Sequence, residues 1–102
     1  MTVIFHVEAL EDLEQIASYI SRDNPAAAES VAARIHDIIH NTLDIMPRSG
    51  RASDTSHEFA VPHLPYIIAY TPTKRGIDVI GIFHTSLHQD TRHSQIENRA
   101  RR

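Results

Sequence analysis

Apolar residues recur along the chain with a spacing that changes from two to three or four and back to two. Val3, Phe5 and Val7 alternate in a short β-branched segment, which predicts a first strand. The apolar residues that follow recur every three or four positions, as in an amphipathic helix. This helical pattern comprises Leu10, Leu13, Ile16, Ala17, Ile20, Ala28, Val31, Ile35, Ile38, Ile39 and Leu43.

Local signals divide this helical region in two. Asn24 is a favoured N-cap residue and Pro25 a favoured first helical residue, so a second helix is predicted to begin there. Pro47 marks its end. The short break between the helices predicts an antiparallel helical hairpin.

The second half of the chain has the spacing of strands. A loop over residues 47–54 precedes predicted strands at 58–61, 66–70 and 77–83, with a hairpin turn at 73–76. The order β-α-α-β-β-β predicts an α+β fold with a two-helix hairpin on one face of a small, mainly antiparallel sheet. The other face is expected to stay partly open for binding. The predicted interior is Phe5, Leu13, Ile16, Ile20, Val31, Ile35, Ile38, Ile67, Val79 and Ile82.

Length and composition limit the class of protein. The 102 residues fit a single domain, which we place at residues 1–88, followed by a polar, arginine-containing tail at 89–102 that is expected to fray unless a partner orders it. No apolar run approaches the roughly 20 residues of a membrane span, and no cysteine is present. The N-terminus lacks a signal-peptide pattern, so we expect a cytoplasmic protein without membrane contact.

The net charge is −3, and the charged residues are distributed unevenly along the chain. Residues 1–50 carry eight acidic and three basic residues, a balance of −5, whereas residues 51–102 carry five acidic and seven basic residues, a balance of +2. Any contact with a phosphate backbone is therefore expected in the second half.

Short motifs follow one another in a fixed order over residues 3–88. They are Asp12-Leu13, Tyr19-Ile20, Asn24-Pro25-Ala26-Ala27, Pro47, Gly50-Arg51, His57-Glu58-Phe59, the run from Leu64 to Tyr70, and Ile80 to His84. Together they resemble the RelE/ParE superfamily of toxins. The resemblance implies a toxin of a type II toxin–antitoxin module that is neutralised by a cognate antitoxin and reaches DNA only through that antitoxin.

The resemblance leaves the target open, because one fold serves several functions. ParE-like members inhibit DNA gyrase by binding, and RelE-like members are metal-independent endonucleases that cleave mRNA on the translating ribosome. A toxin that has lost its activity but still binds its antitoxin is a third alternative. No cofactor is implied by any of them.

If the chain is RelE-like, its candidate catalytic residues are His84, Arg51, His57 and His63. Histidine can serve as general acid or base near neutral pH, although a strand-end histidine such as His84 can instead satisfy a backbone group. The sequence also departs from the RNA-cleaving pattern, because Gly81 and Leu87 stand where arginines are common and no tyrosine follows Tyr70. These departures and the net charge favour the ParE-like alternative and gyrase.

His36 and His40 have the four-residue spacing of a helical zinc site. They lie on the polar face of the second predicted helix beside Glu29, Asp37 and Asp44, so solvated side chains are expected and no metal site is predicted.

Overall fold

The computed structural model describes residues 2–53 and 56–101. It contains strands β1 (Thr2–Phe5), β2 (Arg51–Ala52), β3 (His57–Ala60), β4 (Tyr66–Pro72) and β5 (Gly76–His84), and helices α1 (Val7–Ser21), α2 (Pro25–Ile38) and α3 (Gln89–Ala100). The predicted α+β fold is confirmed, with α1 and α2 packed on one face of a five-stranded sheet. Two elements were not predicted, the two-residue strand β2 and helix α3.

The sheet has the order β1-β5-β4-β3-β2. β1 pairs with β5 in parallel, and the other neighbouring strands pair in antiparallel fashion. The first strand therefore lies beside the last, with α1 and α2 forming part of the connection. This pairing leaves β1 at one edge of the sheet and β2 at the other.

The helical hairpin forms as the sequence signals predict. The Asn24 side chain accepts a hydrogen bond of 3.1 Å from the Ala27 N–H, and Pro25 is the first residue of α2. After Ile38 the helix continues as a π-helical turn over Ile39–Leu43. A 3₁₀ turn at Pro47–Ser49 then leads into β2.

The main core lies between the helical hairpin and the sheet. Ile35, Ile38, Val79 and Ile82 are buried as predicted, and Phe5, Leu13, Ile16 and Val31 are partly buried against them. Ile20 and Ile67 were wrongly assigned to this core and are only half-buried. Ile20 lies one helical turn beyond Ile16, and Ile67 is paired with Phe83, whose side chain packs on the opposite face of the sheet.

The start of α1 also differs from the prediction. Val7 belongs to the helix rather than to the first strand, and it is 68% exposed. Leu10 is half-exposed because Ala9, which is fully buried, faces the sheet in its place. A small residue at this contact lets the helix approach β5 closely.

The C-terminal segment is polar, as predicted, but the expectation that it frays is wrong, since residues 89–100 form α3. This helix covers the sheet face opposite the hairpin, where Ile96 packs in a second cluster with Ala69, Ile80 and Phe83. The second face is therefore not left open for binding as expected.

A β-bulge in β5 decides which side chains reach each face. Ala69 pairs with Gly81 while Tyr70 pairs with Val79, so Ile80 has no partner on β4. The extra residue reverses the alternation along β5. As a result, Val79 and Ile82 both face the main core, and Phe83 packs against the second cluster.

Candidate functional site

His84 ends β5 beside the aromatic ring of Tyr66. The two rings meet edge to face with centroids 5.6 Å apart, and the residues are directly paired across β4 and β5. The His84 Nδ1 accepts a hydrogen bond of 3.0 Å from the Ser86 N–H. A neutral imidazole that accepts at Nδ1 carries its proton on Nε2, so His84 presents a hydrogen-bond donor outward while also satisfying a backbone group.

A cleft of about 260 Å³ lies next to this histidine, between α1 and the end of β5. Asp12 and Tyr19 line it together with Tyr66 and His84. Burial raises the pKa of the Tyr66 hydroxyl, and the nearby Tyr19 raises it further. The phenol is therefore held in its neutral form and can act as a hydrogen-bond donor.

His57 lies at the opposite end of β4 from His84. It pairs with Tyr70, and the two ring centroids are 5.5 Å apart. His84 pairs with Tyr66, four residues away along the same strand, which corresponds to roughly 13 Å. The two histidines therefore border different clefts.

Arg51 and His63 lie in two further places. Arg51 pairs with Glu58 at the β2 edge and lines a cleft of about 200 Å³ with Arg92 and His93. His63 is exposed in the turn between β3 and β4, with a left-handed φ of 64°. The structure thus places His84, His57 and Arg51 at three separate clefts, whereas His63 lies on an exposed turn at the same end of β4 as His84.

Two arginines of α3 make the charged contacts that the sequence did not indicate. Arg92 donates to both carboxylate oxygens of Glu58, at 2.8 and 3.2 Å, and His93 Nε2 lies 3.5 Å from the same carboxylate. Arg99 donates to Asp12 Oδ2 at 2.7 Å and more weakly to the Ile80 carbonyl at 3.3 Å. These contacts join α3 to both the sheet and α1.

Gly81 leaves the space through which Arg99 reaches Asp12. A Cβ atom at residue 81 would lie 2.3 Å from Arg99 Nη1, so any larger residue would displace the guanidinium. The same guanidinium lies 4.8 Å from the centroid of the Phe83 ring, in a cation–π contact. Gly81 stands where the resemblance places an arginine in RNA-cleaving members, and a guanidinium from α3 occupies the adjacent space.

Asp12 also protects the free edge of β5. β1 ends at Phe5, opposite Val79, so beyond that point β5 is paired with β4 on one side and has no strand on the other. Asp12 Oδ2 accepts a hydrogen bond of 3.0 Å from the Ile82 N–H, and the Arg99 guanidinium donates a hydrogen bond to the Ile80 carbonyl. Side chains satisfy here the backbone groups that would otherwise be open to a further strand.

The edge formed by β1 carries exposed apolar residues. β1 is paired only with β5, and Ile4, Val7 and Leu10 are exposed on this strand and the adjoining start of α1. Glu11 and Glu14 lie on the outer surface of the same helix. This end of the molecule therefore combines an open strand edge, an apolar surface and negative charge.

Over residues 2–53 and 56–101, no three His, Asp or Glu side chains lie close enough together to hold a metal ion. The His36 and His40 rings stack on each other with centroids 6.0 Å apart and contact Phe5. No helix in the same ranges is long and apolar enough to cross a membrane.

The architecture defines a class of small α+β proteins, in which a helical hairpin covers one face of a mixed sheet. Residues 3–87 match the sequence model described as ParE toxin of type II toxin–antitoxin system, parDE. The chain belongs to this ParE toxin family. Helix α3 lies just beyond the matched residues.

Two individual proteins support the assignment. The chain is 34% identical over 80 residues to a protein of Sinorhizobium fredii (strain NBRC 101917 / NGR234) named "Putative toxin Y4kP", covering 76% of this chain and 81% of that protein. It is similar in fold to a chain of the structure titled "Chromosomal ParDE TA system from P. aeruginosa", with a TM-score of 0.69 and 14% identity. That match covers 82% of this chain and 95% of the other.

Proposed function

We propose that this toxin inhibits DNA gyrase by occupying a surface of the enzyme, without performing chemistry itself. The observation that carries the proposal is the dispersal of His84, His57 and Arg51 over three separate clefts. General acid–base cleavage of RNA needs its acid, base and cationic groups around one phosphate, within hydrogen-bond reach. A binding toxin has no such requirement.

The charge of the molecule also favours a protein target. The net charge is −3, and the helical face carries most of the acidic residues. RNA-rich surfaces such as the ribosomal decoding site favour strongly basic proteins, because phosphate contacts supply much of the affinity. A gyrase surface imposes no such demand, and both proposed targets place the action of the toxin in the cytoplasm.

We further propose that a cognate antitoxin neutralises the toxin by binding along the β1 edge and the start of α1. An open strand edge can accept an added strand of a partner. The exposed Val7 and Leu10 offer apolar contacts, and Glu11 and Glu14 favour a partner segment that carries basic residues. Contact with operator DNA would then be made by the antitoxin alone.

One observation favours the RelE-like alternative. His84, Tyr66 and Asp12 line the same cleft, so this cleft holds several groups that are capable of proton transfer. His84 is therefore the residue whose loss separates the two functions.

Two parallel assays test the target. Purified toxin is added to a gyrase supercoiling reaction and to an in vitro translation reaction with labelled mRNA. We expect loss of supercoiling at a toxin concentration that leaves the mRNA intact. Cleaved mRNA on translating ribosomes with unaffected supercoiling would replace the gyrase proposal with the RelE-like alternative.

A further inference from the structure

The outer side of β1 presents backbone hydrogen-bonding groups to a further strand. The N–H groups of Thr2 and His6 donate to backbone carbonyls on the β5 side, at 2.7 and 2.9 Å. Since the backbone groups of successive residues point to opposite sides of a strand, those of Val3 and Phe5 point away from β5. Over residues 2–53 and 56–101, β1 pairs only with β5, so these outward groups have no strand to bond with.

Ile4 adds an exposed apolar side chain to this edge. Val3 and Phe5 pack against the main core on the side of the helical hairpin. Side chains alternate along a strand, so Ile4 points to the opposite face of the sheet, where it is 55% exposed. An open strand edge that displays an apolar side chain is a site at which another strand can add.

Charged groups of opposite sign lie at the two ends of the same surface. Lys74 and Arg75 are exposed in the turn beside the start of β1, where they line a hollow of about 340 Å³ together with Asp78 and residues of β1. Neither of the two basic side chains forms an ion pair within the described part of the chain. At the other end of β1, Glu11 and Glu14 lie on the outer surface of α1. The surface is therefore basic at one end, apolar in the middle and acidic at the other end.

We propose that the β1 edge binds a second copy of this chain, with the two β1 strands antiparallel across a two-fold axis. An antiparallel pair places the first residue of one strand opposite the last residue of the other. The basic end of each copy then meets the acidic end of its partner, which is the self-complementarity that a two-fold interface requires. A parallel pair would instead place like charges opposite each other, which is unfavourable.

The direction of the backbone groups fixes the register of this pair. Val3 of each copy lies opposite Phe5 of the other, and the two residues exchange both of their backbone hydrogen bonds. Any other antiparallel register that uses these outward groups leaves one of the two residues without a partner inside β1. Ile4 then lies on the two-fold axis, in a non-hydrogen-bonded pair with Ile4 of the other copy, and the two exposed side chains cover each other.

The dimer has a consequence for neutralisation. Small interfaces are transient, so we expect a dissociation constant of about micromolar order. The antitoxin is proposed to bind the same edge, so the dimer and the antitoxin complex exclude each other. This consequence rests on the proposed function, whereas the dimer itself is tested on the toxin alone.

Disulfide cross-linking tests the position of the axis. The chain contains no cysteine, so Ile4→Cys introduces a single thiol at the proposed axis. The Cα atoms of such a pair are expected about 4.5 Å apart, within the range of disulfides, about 4.4–6.8 Å. Ile45→Cys is the control, because Ile45 is 64% exposed and lies away from β1. Under mild oxidation, Ile4→Cys is expected to form a linked dimer roughly tenfold faster or more, because pairing raises the effective concentration of the two thiols. Non-reducing electrophoresis measures both rates.

Exchange of charges tests the orientation of the two copies. Sedimentation velocity between about 1 and 100 μM measures the monomer–dimer equilibrium of the wild type. One variant combines Lys74→Glu with Arg75→Glu, and the other combines Glu11→Lys with Glu14→Lys. Each variant alone places like charges at both ends of the interface and is expected to dimerise at least about tenfold more weakly. An equimolar mixture restores opposite charges at both ends and is expected to recover the dimer.

Any of three results would overturn the proposal. They are a wild-type chain that stays monomeric up to about 100 μM, equal rates of cross-linking for Ile4→Cys and Ile45→Cys, and a mixture of the two charge variants that dimerises no better than either alone. The substituted residues are all exposed, so thermal unfolding of each variant is expected to give a melting temperature close to that of the wild type. Neither assay contains gyrase or antitoxin, so a failure here is distinct from a failure of the proposed function.

Discussion

Tyr70 shows how one buried side chain can fix a turn that is distant from it in sequence. Its ring is fully buried in the main core, and its hydroxyl holds the turn that carries Arg48. Gly50 makes this contact possible, because a Cβ at residue 50 would lie 2.5 Å from the Tyr70 hydroxyl oxygen. Burial raises the pKa of this hydroxyl above its ordinary value, while the hydrogen bond from the Gly50 N–H lowers it by a smaller amount.

The Tyr70→Phe substitution is expected to lower the free energy of unfolding at pH 7 by about 1–3 kcal/mol, because it leaves the Pro47 carbonyl and the Gly50 N–H without a partner. The raised pKa means that the folded state holds this proton more tightly than the unfolded state. Its stabilising effect is therefore complete below about pH 10 and is lost as the pH rises through the folded-state pKa.

Urea unfolding between pH 7 and 11 measures both effects. The difference between wild type and Tyr70→Phe should decrease above about pH 10. A difference that stays constant up to pH 11 would contradict the assignment.

His84→Ala is expected to leave growth inhibition intact, because a gyrase inhibitor loses one surface contact, typically about 1 kcal/mol or less outside a hot spot. A nuclease that used His84 as acid or base would lose about 10²–10⁴ in rate. Growth after induced expression is the measurement, and His40→Ala is the matched control at an exposed position of the π-helical turn. If a folded His84→Ala toxin fails to inhibit growth while the His40→Ala toxin succeeds, the binding model is wrong.

Among the elements, α3 is held more by charge than by apolar contact. Ile96 and Arg92 are its only buried residues within the described chain. The Arg92 and Glu58 side chains are just 10% and 14% exposed and bond in a bidentate arrangement. A buried carboxylate that loses such a partner is strongly unfavourable.

Arg92→Ala is expected to reduce the free energy of unfolding by about 3 kcal/mol, because it removes the bidentate partner of a Glu58 carboxylate that is only 14% exposed. Arg101→Ala on the same helix removes an exposed ion pair with Glu97 and should cost less than about 0.5 kcal/mol. Denaturant unfolding of both variants checks the comparison. Equal losses would show that α3 contributes through helix content and not through the buried pair.

At the scale of the whole molecule, the two sheet faces and two sheet edges differ in what they can bind. The helical hairpin covers one face and α3 the other. Side chains of Asp12 and Arg99 close the free part of β5. The outer side of β1, with the adjoining end of α1, remains available, which is why we assign the antitoxin to it.

Replacement of both Val7 and Leu10 by alanine should weaken antitoxin binding at least tenfold, because it removes exposed apolar contacts from the proposed interface while keeping good helix-forming residues. Ile45 and Met46 are comparably exposed, at 64% and 59%, and lie outside that surface. Their double alanine variant is the control. Titration of the co-expressed antitoxin by calorimetry measures both variants, and a similar loss in each would exclude the β1 edge as the specific site.

The sequence by itself determined the elements whose stability is local. The N-cap at Asn24, the apolar stripe of α2 and the apolar run of β4 involve residues that are near one another in sequence, so the pattern predicted the type of each element and much of the core. The family motifs can likewise be recognised from the sequence alone, and their order along the chain predicted the fold.

Only the tertiary structure decided where α3 packs and how the candidate residues are distributed. It also decided on which face of the sheet each side chain of β5 lies. Arg92 and Glu58 are 34 residues apart and Arg99 and Asp12 are 87 apart, and a hydrogen bond over such a separation leaves no periodic trace in sequence. The polar composition of residues 89–100 therefore predicted a frayed tail. The bulge at Ile80 likewise depends on register, because one extra residue reverses every later side chain.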